Sequence, residues 1–158
     1  MSKEESSRSR FRTIDLPQKK MAYQPGFKIS NLNQIESPPG DAQFGMLISL
    51  GGGVLVHQFC QIGAQVFIGG GFRVVQDVPP YILAAKEPLK YQGINSIGLK
   101  RRGYDQKTRK DIKEIYQIVF GASMNISQAI IEIKNKFKDS NHRNMILNFI
   151  KNSKRGII

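Results

Sequence analysis

The fold class predicted by this sequence is a short parallel β-helix followed by a small basic helical domain, and three observations predict it. Aliphatic residues recur at every sixth position, as Leu50, Val56, Ile62, Ile68 and Val74. A double proline, Pro79-Pro80, then interrupts the pattern. Beyond residue 103 the apolar spacing changes to that of a helix.

Residues 1–45 come first, and they read as a poorly ordered segment. They hold Ser6-Ser7, Pro17, Pro25-Gly26 and Pro38-Pro39-Gly40, with apolar residues at no fixed period. Such composition does not bury enough surface to offset backbone entropy.

Residues 46–80 read as a partial β-helix. The residue after each rung aliphatic is Gly51, His57, Gly63, Gly69 or Val75, and four places after each come Val54, Cys60, Val66, Phe72 and Val78. A helix cannot satisfy this register, because a period of six sends successive aliphatics to opposite faces. Three hexads close one triangular coil with the aliphatic side chain inside. The small residues are expected at corners, where tight turns favour glycine. Five hexads make fewer than two coils, and no hexad register is read in residues 1–45. The expectation is therefore either the tail of a longer solenoid or a coil end covered by another chain.

Residues 81–158 read as a connector and a helical domain. The double proline is expected to stop regular hydrogen bonding. Residues 81–103 are expected to be extended. Asp105 is a plausible N-cap for a helix lined by Ile112, Ile115, Tyr116 and Val119 and ending at Gly121. Asn125 or Ser127 starts a second helix carrying Ile126, Ala129, Ile130, Ile133 and Phe137. Ser140 or Asn141 starts a third, with Met145, Ile146, Phe149 and Ile150.

Composition narrows the function classes. The 158 residues carry a formal net charge of +12, one cysteine and no tryptophan. A lone Cys60 cannot build a disulfide framework or a cysteine-based zinc site. No apolar run approaches the roughly 20 residues that span a bilayer, and the first residues lack a signal-type apolar block. A soluble, reducing, intracellular setting is the expectation. Residues 86–158 hold 16 basic against six acidic residues, a net of +10, so the excess belongs to the C-terminal half. A basic face meets something anionic: nucleic acid, an acidic protein or a phosphorylated small molecule.

Three runs carry a family resemblance. They are Val56-His57-Gln58-Phe59-Cys60-Gln61-Ile62-Gly63-Ala64, Gln76-Asp77-Val78-Pro79-Pro80-Tyr81, and Gly93-Ile94-Asn95 leading to Gly98-Leu99-Lys100-Arg101-Arg102-Gly103. Together with Asn152-Ser153-Lys154-Arg155-Gly156-Ile157, they resemble the C-terminal part of the UDP-N-acetylglucosamine acyltransferases of bacterial lipid A biosynthesis. The likeness covers about residues 48–158 and nothing in residues 1–45. It implies a left-handed parallel β-helix, truncated here, with a C-terminal helical domain. It also implies transfer of a 3-hydroxyacyl group from acyl carrier protein to the sugar 3-hydroxyl of UDP-N-acetylglucosamine. Members of the family are cytoplasmic homotrimers with active sites between subunits, and they need no metal or bound organic cofactor.

Such a reaction needs a base for the attacking hydroxyl, and histidine suits it because its ordinary pKa lies near working pH. In the family the catalytic histidine lies about two coils before the His-Gln-Phe-Cys run. This chain has only His57 and His142, so no catalytic residue is assigned, and the chain alone is expected to bind weakly without turnover. His57 and Gln58 match family positions that contact substrate between subunits. Asn95, Arg101 and Arg102 match positions associated with the nucleotide, where Arg can fork onto phosphate oxygens and Asn can read a ring edge. The family often has an acidic residue two places after that Asn, whereas Ile97 stands here. Gly70 matches a position beside the acyl chain, where side-chain size limits chain length. Lys100, Lys107, Arg109, Lys110 and Lys113 are candidates for an acyl carrier protein face. Cys60 is expected in the core, and His142 at a helix start or on the surface.

Two other function classes compete. One is a non-catalytic interaction module or pseudo-enzyme subunit that assembles with a complete acyltransferase. The other is non-specific nucleic-acid binding through the basic region, which would depend steeply on salt.

Overall fold

The computed structural model describes residues 48–121 and 123–158 in full, and before them the backbone of four strands. Those four are β1 (Arg12–Thr13), β2 (Lys28–Asn31), β3 (Gln34–Glu36) and β4 (Gln43–Phe44). The hexads follow as strands of two residues each: β5 (Ser49–Leu50), β6 (Leu55–Val56), β7 (Gln61–Ile62), β8 (Phe67–Ile68) and β9 (Arg73–Val74).

Three strands pair in parallel with the third strand after them. β4 pairs with β7, β5 with β8 and β6 with β9. The partners are eighteen residues apart, as in Leu50 with Ile68 and Val56 with Val74. Successive strands thus turn through three faces, which is the triangular coil that a six-residue period requires. Leu50, Ile62, Ile68 and Val74 are buried inside it with Val54, Cys60, Val66 and Val78.

Two details differ from the sequence reading. The parallel register begins one rung earlier than the five hexads, because Phe44 pairs opposite Ile62. A single rung after 42 residues without a repeat gives periodicity nothing to lock onto. The corner geometry is also different. The left-handed residue lies three places after each rung, at Gly53, Phe59, Gln65 and Gly71, with φ of 74°, 65°, 62° and 78°. The glycine one place after the rung is small for another reason. A Cβ on Gly51 would overlap the backbone of Gly70, and one on Gly63 would overlap that of Pro80. The neighbouring coil, not the turn, excludes the side chain there.

The double proline does not end the ladder. The Gly63 N–H donates to Val78 O and the Tyr81 N–H to Ala64 O, on either side of it. β10 (Ile82–Ala85) then pairs in parallel with β8, its Ala84 opposite Ile68. The offset has shrunk to sixteen residues, as it has where Val78 bridges Ile62. The prolines fall at a corner, where their missing N–H groups interrupt no rung.

Residues 81–103 are not simply extended. β10 forms an antiparallel hairpin with β11 (Lys90–Ile94), bulged between Leu83 and Ala84. The short helix α1 (Ser96–Arg101) follows. It went unread because six residues including a glycine show no helical period. What holds it is Asn95, whose side chain accepts from the Gly98 N–H.

The remaining helices are α2 (Gln106–Val119), α3 (Ile126–Lys136) and α4 (Asn141–Asn152), capped by Asp105, Asn125 and Ser140. Asn125 and Gln128 form a reciprocal capping box, which decides the start of α3 against Ser127. α2 buries the four residues expected of it. The α4 stripe is Ile146, Leu147 and Ile150, with Met145 exposed and Phe149 half-buried. The Met145 sulfur accepts from the hydroxyl of the buried Tyr81 at 3.2 Å. Ile126 is likewise exposed on α3.

Tyr116 joins the two halves. It is fully buried, and its hydroxyl donates to Pro80 O at 2.5 Å. Its ring lies 5.7 Å from Tyr91 of the hairpin, and Tyr91 stacks on Phe120 at 4.4 Å. Burial pushes the Tyr116 phenol well above its ordinary pKa, so it stays a neutral donor. Among the described residues no helix is long and apolar enough to cross a membrane.

Candidate functional site

His57 follows the last residue of β6, and its N–H donates to Val74 O at 2.8 Å, so the ladder fixes its backbone. Its side chain and that of Gln58 are exposed. The imidazole Nδ1 lies 3.0 Å from Gln58 O. A carbonyl oxygen only accepts, so Nδ1 is the donor in this contact, and in the neutral ring Nε2 is the acceptor. Phe59, half-exposed with its positive φ, completes the corner.

Asn95, Arg101 and Arg102 gather around α1. Asn95 is buried at 6% exposure and turned inward. Its amide donates to Gln65 O at 3.0 Å, its Oδ1 accepts from the Gly98 N–H at 3.2 Å, and its N–H donates to Tyr81 O. Its carboxamide therefore stitches α1 to the corner between β7 and β8. Arg101, the last residue of α1, is exposed. Arg102 is half-buried, and its N–H donates back to Gly98 O and Leu99 O. Ile97 is the most exposed large apolar residue of this turn, at 69%. The five candidates thus form two groups on separate elements, one at the β6 corner and one on α1.

Gly70 sits exposed at the corner between β8 and β9. A Cβ there would come within 3.1 Å of Gly52 O, so adjacent coils already constrain this position. Cys60 is a core residue: it is buried, its Sγ lies 3.6 Å from Val74 O, and burial pushes its thiol pKa up. His142 is half-buried beside the α4 cap, with Nε2 3.2 Å from Ser140 Oγ. Lys100, Lys107, Lys110 and Lys113 are exposed along α1 and α2. Arg109 is half-buried, its guanidinium 3.4 Å from Ser96 Oγ.

Sequence reasoning missed the residues that back the His57 corner. Asp77 is buried at 1% exposure. Its Oδ1 accepts from the Gln61 N–H at 2.8 Å and its Oδ2 from the Ser153 hydroxyl at 2.6 Å. Its N–H donates to Gly156 O, and the Ile158 N–H donates to its carbonyl. Arg155, between these anchors, donates through Nη1 to Gln58 O at 2.9 Å. Arg73, the other charged residue of the coils, pairs with Glu87 at 3.5 Å and not with Asp77. The available signal was a lone acid in an otherwise apolar stretch, which needs partners when buried.

The comparisons agree with this architecture. Residues 77–158 match the family described as UDP N-acetylglucosamine O-acyltransferase, domain 2. An acyl-[acyl-carrier-protein]–UDP-N-acetylglucosamine O-acyltransferase from Thiobacillus denitrificans is 33% identical over 119 residues, 75% of this chain and 46% of that protein. The structure of a UDP-N-acetylglucosamine acyltransferase from Bacteroides fragilis superposes with a TM-score of 0.74 at 39% identity, covering 76% of this chain and 47% of that one. One from Acinetobacter baumannii gives a TM-score of 0.72 at 30% identity, with 76% and 47% covered. The chain spans about half the length of the relatives it matches. On the match over residues 77–158, the chain belongs to the UDP N-acetylglucosamine O-acyltransferase family.

Proposed function

We propose that this chain carries the substrate-binding half of an acyltransferase of lipid A biosynthesis, which moves a 3-hydroxyacyl group from acyl carrier protein to the 3-hydroxyl of UDP-N-acetylglucosamine. The observation that carries this reading is the His57 corner, whose exposed imidazole presents an acceptor Nε2, together with the exposed Arg101 on a capped helix. His57 and Gln58 hydrogen-bond polar groups of the sugar or acyl chain, and Arg101 and Arg102 face the diphosphate. Asn95 shapes the nucleotide side through α1, since both ends of its carboxamide are engaged within the fold. Gly70 leaves room for a long acyl chain. Lys100, Lys107, Lys110 and Lys113 offer positive charge to acidic acyl carrier protein. The setting is cytoplasmic, and the coil is part of a left-handed β-helix in a homotrimer.

Residues 1–56 contain no histidine, and in this reading the chain alone binds without turnover because a general base ahead of His57 is lacking. Leu55, Phe59 and Val75 are exposed at 54%, 49% and 48% around the β6–β9 face. They favour a second reading, in which the chain is a non-catalytic subunit assembled with a complete acyltransferase.

The test is calorimetric titration of the purified chain with UDP-N-acetylglucosamine, alongside an acylation assay. Saturable binding is expected, weakened about tenfold or more by Arg101→Ala, as for loss of one charged hydrogen bond. Turnover comparable to full-length enzymes would refute the binding-only reading. Absence of binding, both alone and after co-purification with a complete subunit, would refute the whole assignment.

A further inference from the structure

We propose that Arg155 is a positioning residue for His57, fixing its tautomer and ring direction through Gln58, 97 residues before it in sequence. Gln58 O is the shared atom. It receives Arg155 Nη1 at 2.9 Å and His57 Nδ1 at 3.0 Å, one donor for each lone pair. With the guanidinium holding that carbonyl, the imidazole has a fixed acceptor for Nδ1–H, and Nε2 is left as the lone-pair nitrogen.

The arm that carries Arg155 is itself clamped. Ser153 bonds the buried Asp77 carboxylate at 2.6 Å on one side of it. On the other side, residues 156–158 run parallel to Asp77: Asp77 bridges Ile157, the Asp77 N–H donates to Gly156 O at 3.0 Å, and the Ile158 N–H donates to Asp77 O at 3.1 Å. Asp77 also holds the first residue of β7 through the Gln61 N–H at 2.8 Å. One buried carboxylate therefore references both the corner that bears His57 and the segment that bears Arg155. A side chain serving only to tie down residues 153–158 would have no need to reach Gln58, since Ser153, Gly156 and Ile158 already anchor them. That His57 then meets substrate rests on the reading given under Proposed function; the tautomer itself does not.

The chain has two histidines, so the imidazole nitrogen spectrum of uniformly 15N-labelled protein is simple, and His142→Gln assigns it. At about pH 8, where an ordinary imidazole is neutral, His57 is expected as the Nδ1–H form. Arg155→Ala is expected to move it toward the Nε2–H form that free imidazole favours, with the amide spectrum of the coil otherwise unchanged, and Arg155→Lys to restore part of the shift. An Nε2–H resonance in the unaltered protein, or an identical His57 spectrum in folded Arg155→Ala, would overturn the proposal. Should Arg155→Ala fail to fold, Arg155→Met, which keeps a long apolar stem without a donor, decides in its place: an unchanged His57 spectrum overturns the proposal and a shift toward the Nε2–H form supports it. UDP-N-acetylglucosamine titration of the same variants separates the two ideas. A tautomer shift with unaltered binding leaves Arg155 as the positioning residue and removes His57 from the substrate site.

Discussion

The coils of residues 48–85 and the helices of residues 105–152 meet the same physical demand, the pairing of buried backbone groups, by opposite routes. Strands of two residues make no internal hydrogen bonds, so Leu50 and Val56 depend on Ile68 and Val74 eighteen places later. The helices close their ladders within each segment, and Asp105, Asn125 and Ser140 satisfy their first turns locally. Order in the coils is therefore collective and intolerant of a single intruding atom, whereas order in the helices is divisible into small local contributions.

The sharpest way to break the comparison is a β-branched residue between coils. Gly63→Val places carbon against the Pro80 backbone and is expected to prevent folding of the coils or to cost several kcal/mol, beyond the usual 1–3 kcal/mol of overpacking. Urea unfolding followed by far-UV circular dichroism measures it; near-native stability would show that adjacent coils can separate. Next comes the joint between the regions. Tyr116→Ala is expected to cost about 3–5 kcal/mol by removing a fully buried aromatic ring. Tyr116→Phe keeps the ring but leaves Pro80 O without its donor, and is expected to cost about 1–3 kcal/mol. If the two variants are equally destabilised in the same assay, the hydrogen bond rather than the ring joins the halves.

Smaller effects are expected in the helices. Asn125→Ala removes the α3 capping box and should cost about 1 kcal/mol, without moving the resonances of the coils. The smallest effect concerns pH. Burial holds the His142 pKa below its ordinary 6.5, with Asp111 and Asp105 opposing that shift and Arg143 adding to it. Below about pH 6.5 the unfolded chain binds this proton more readily than the folded one, so stability falls with falling pH until the folded value is reached. His142→Gln should flatten that part of a stability–pH profile. Asp105 acts lower down: the Thr108 hydroxyl and N–H hold its carboxyl below the ordinary 3.8, so its stabilisation is present above that value and is lost as pH falls through the folded one.

Legibility followed the same divide. The hexads revealed the coil because identical surroundings repeat, and the caps revealed the helices because each cap bonds within three residues. The rung at Phe44 and the helix α1 escaped because each occurs once, without a period. The prolines misled because a corner tolerates what a strand interior does not. Among the candidate residues, family motifs pick out His57, Gln58, Arg101 and Arg102, whereas the inward turn of Asn95 is visible only in the fold. Asp77 and Arg155 were invisible as a site because they act on residues 76 and 97 places away.

By itself the sequence determined the period of the coil, most of the residues inside it, the three long helices with the Asp105 cap, and the family. Tertiary structure alone decided why Gly51 and Gly63 must be small, how the ladder passes two prolines, and which arm returns to the His57 corner. The reason is range. Periodicity and capping are set by atoms a few residues apart, while a neighbouring coil's backbone or a returning arm is brought near only by the completed fold.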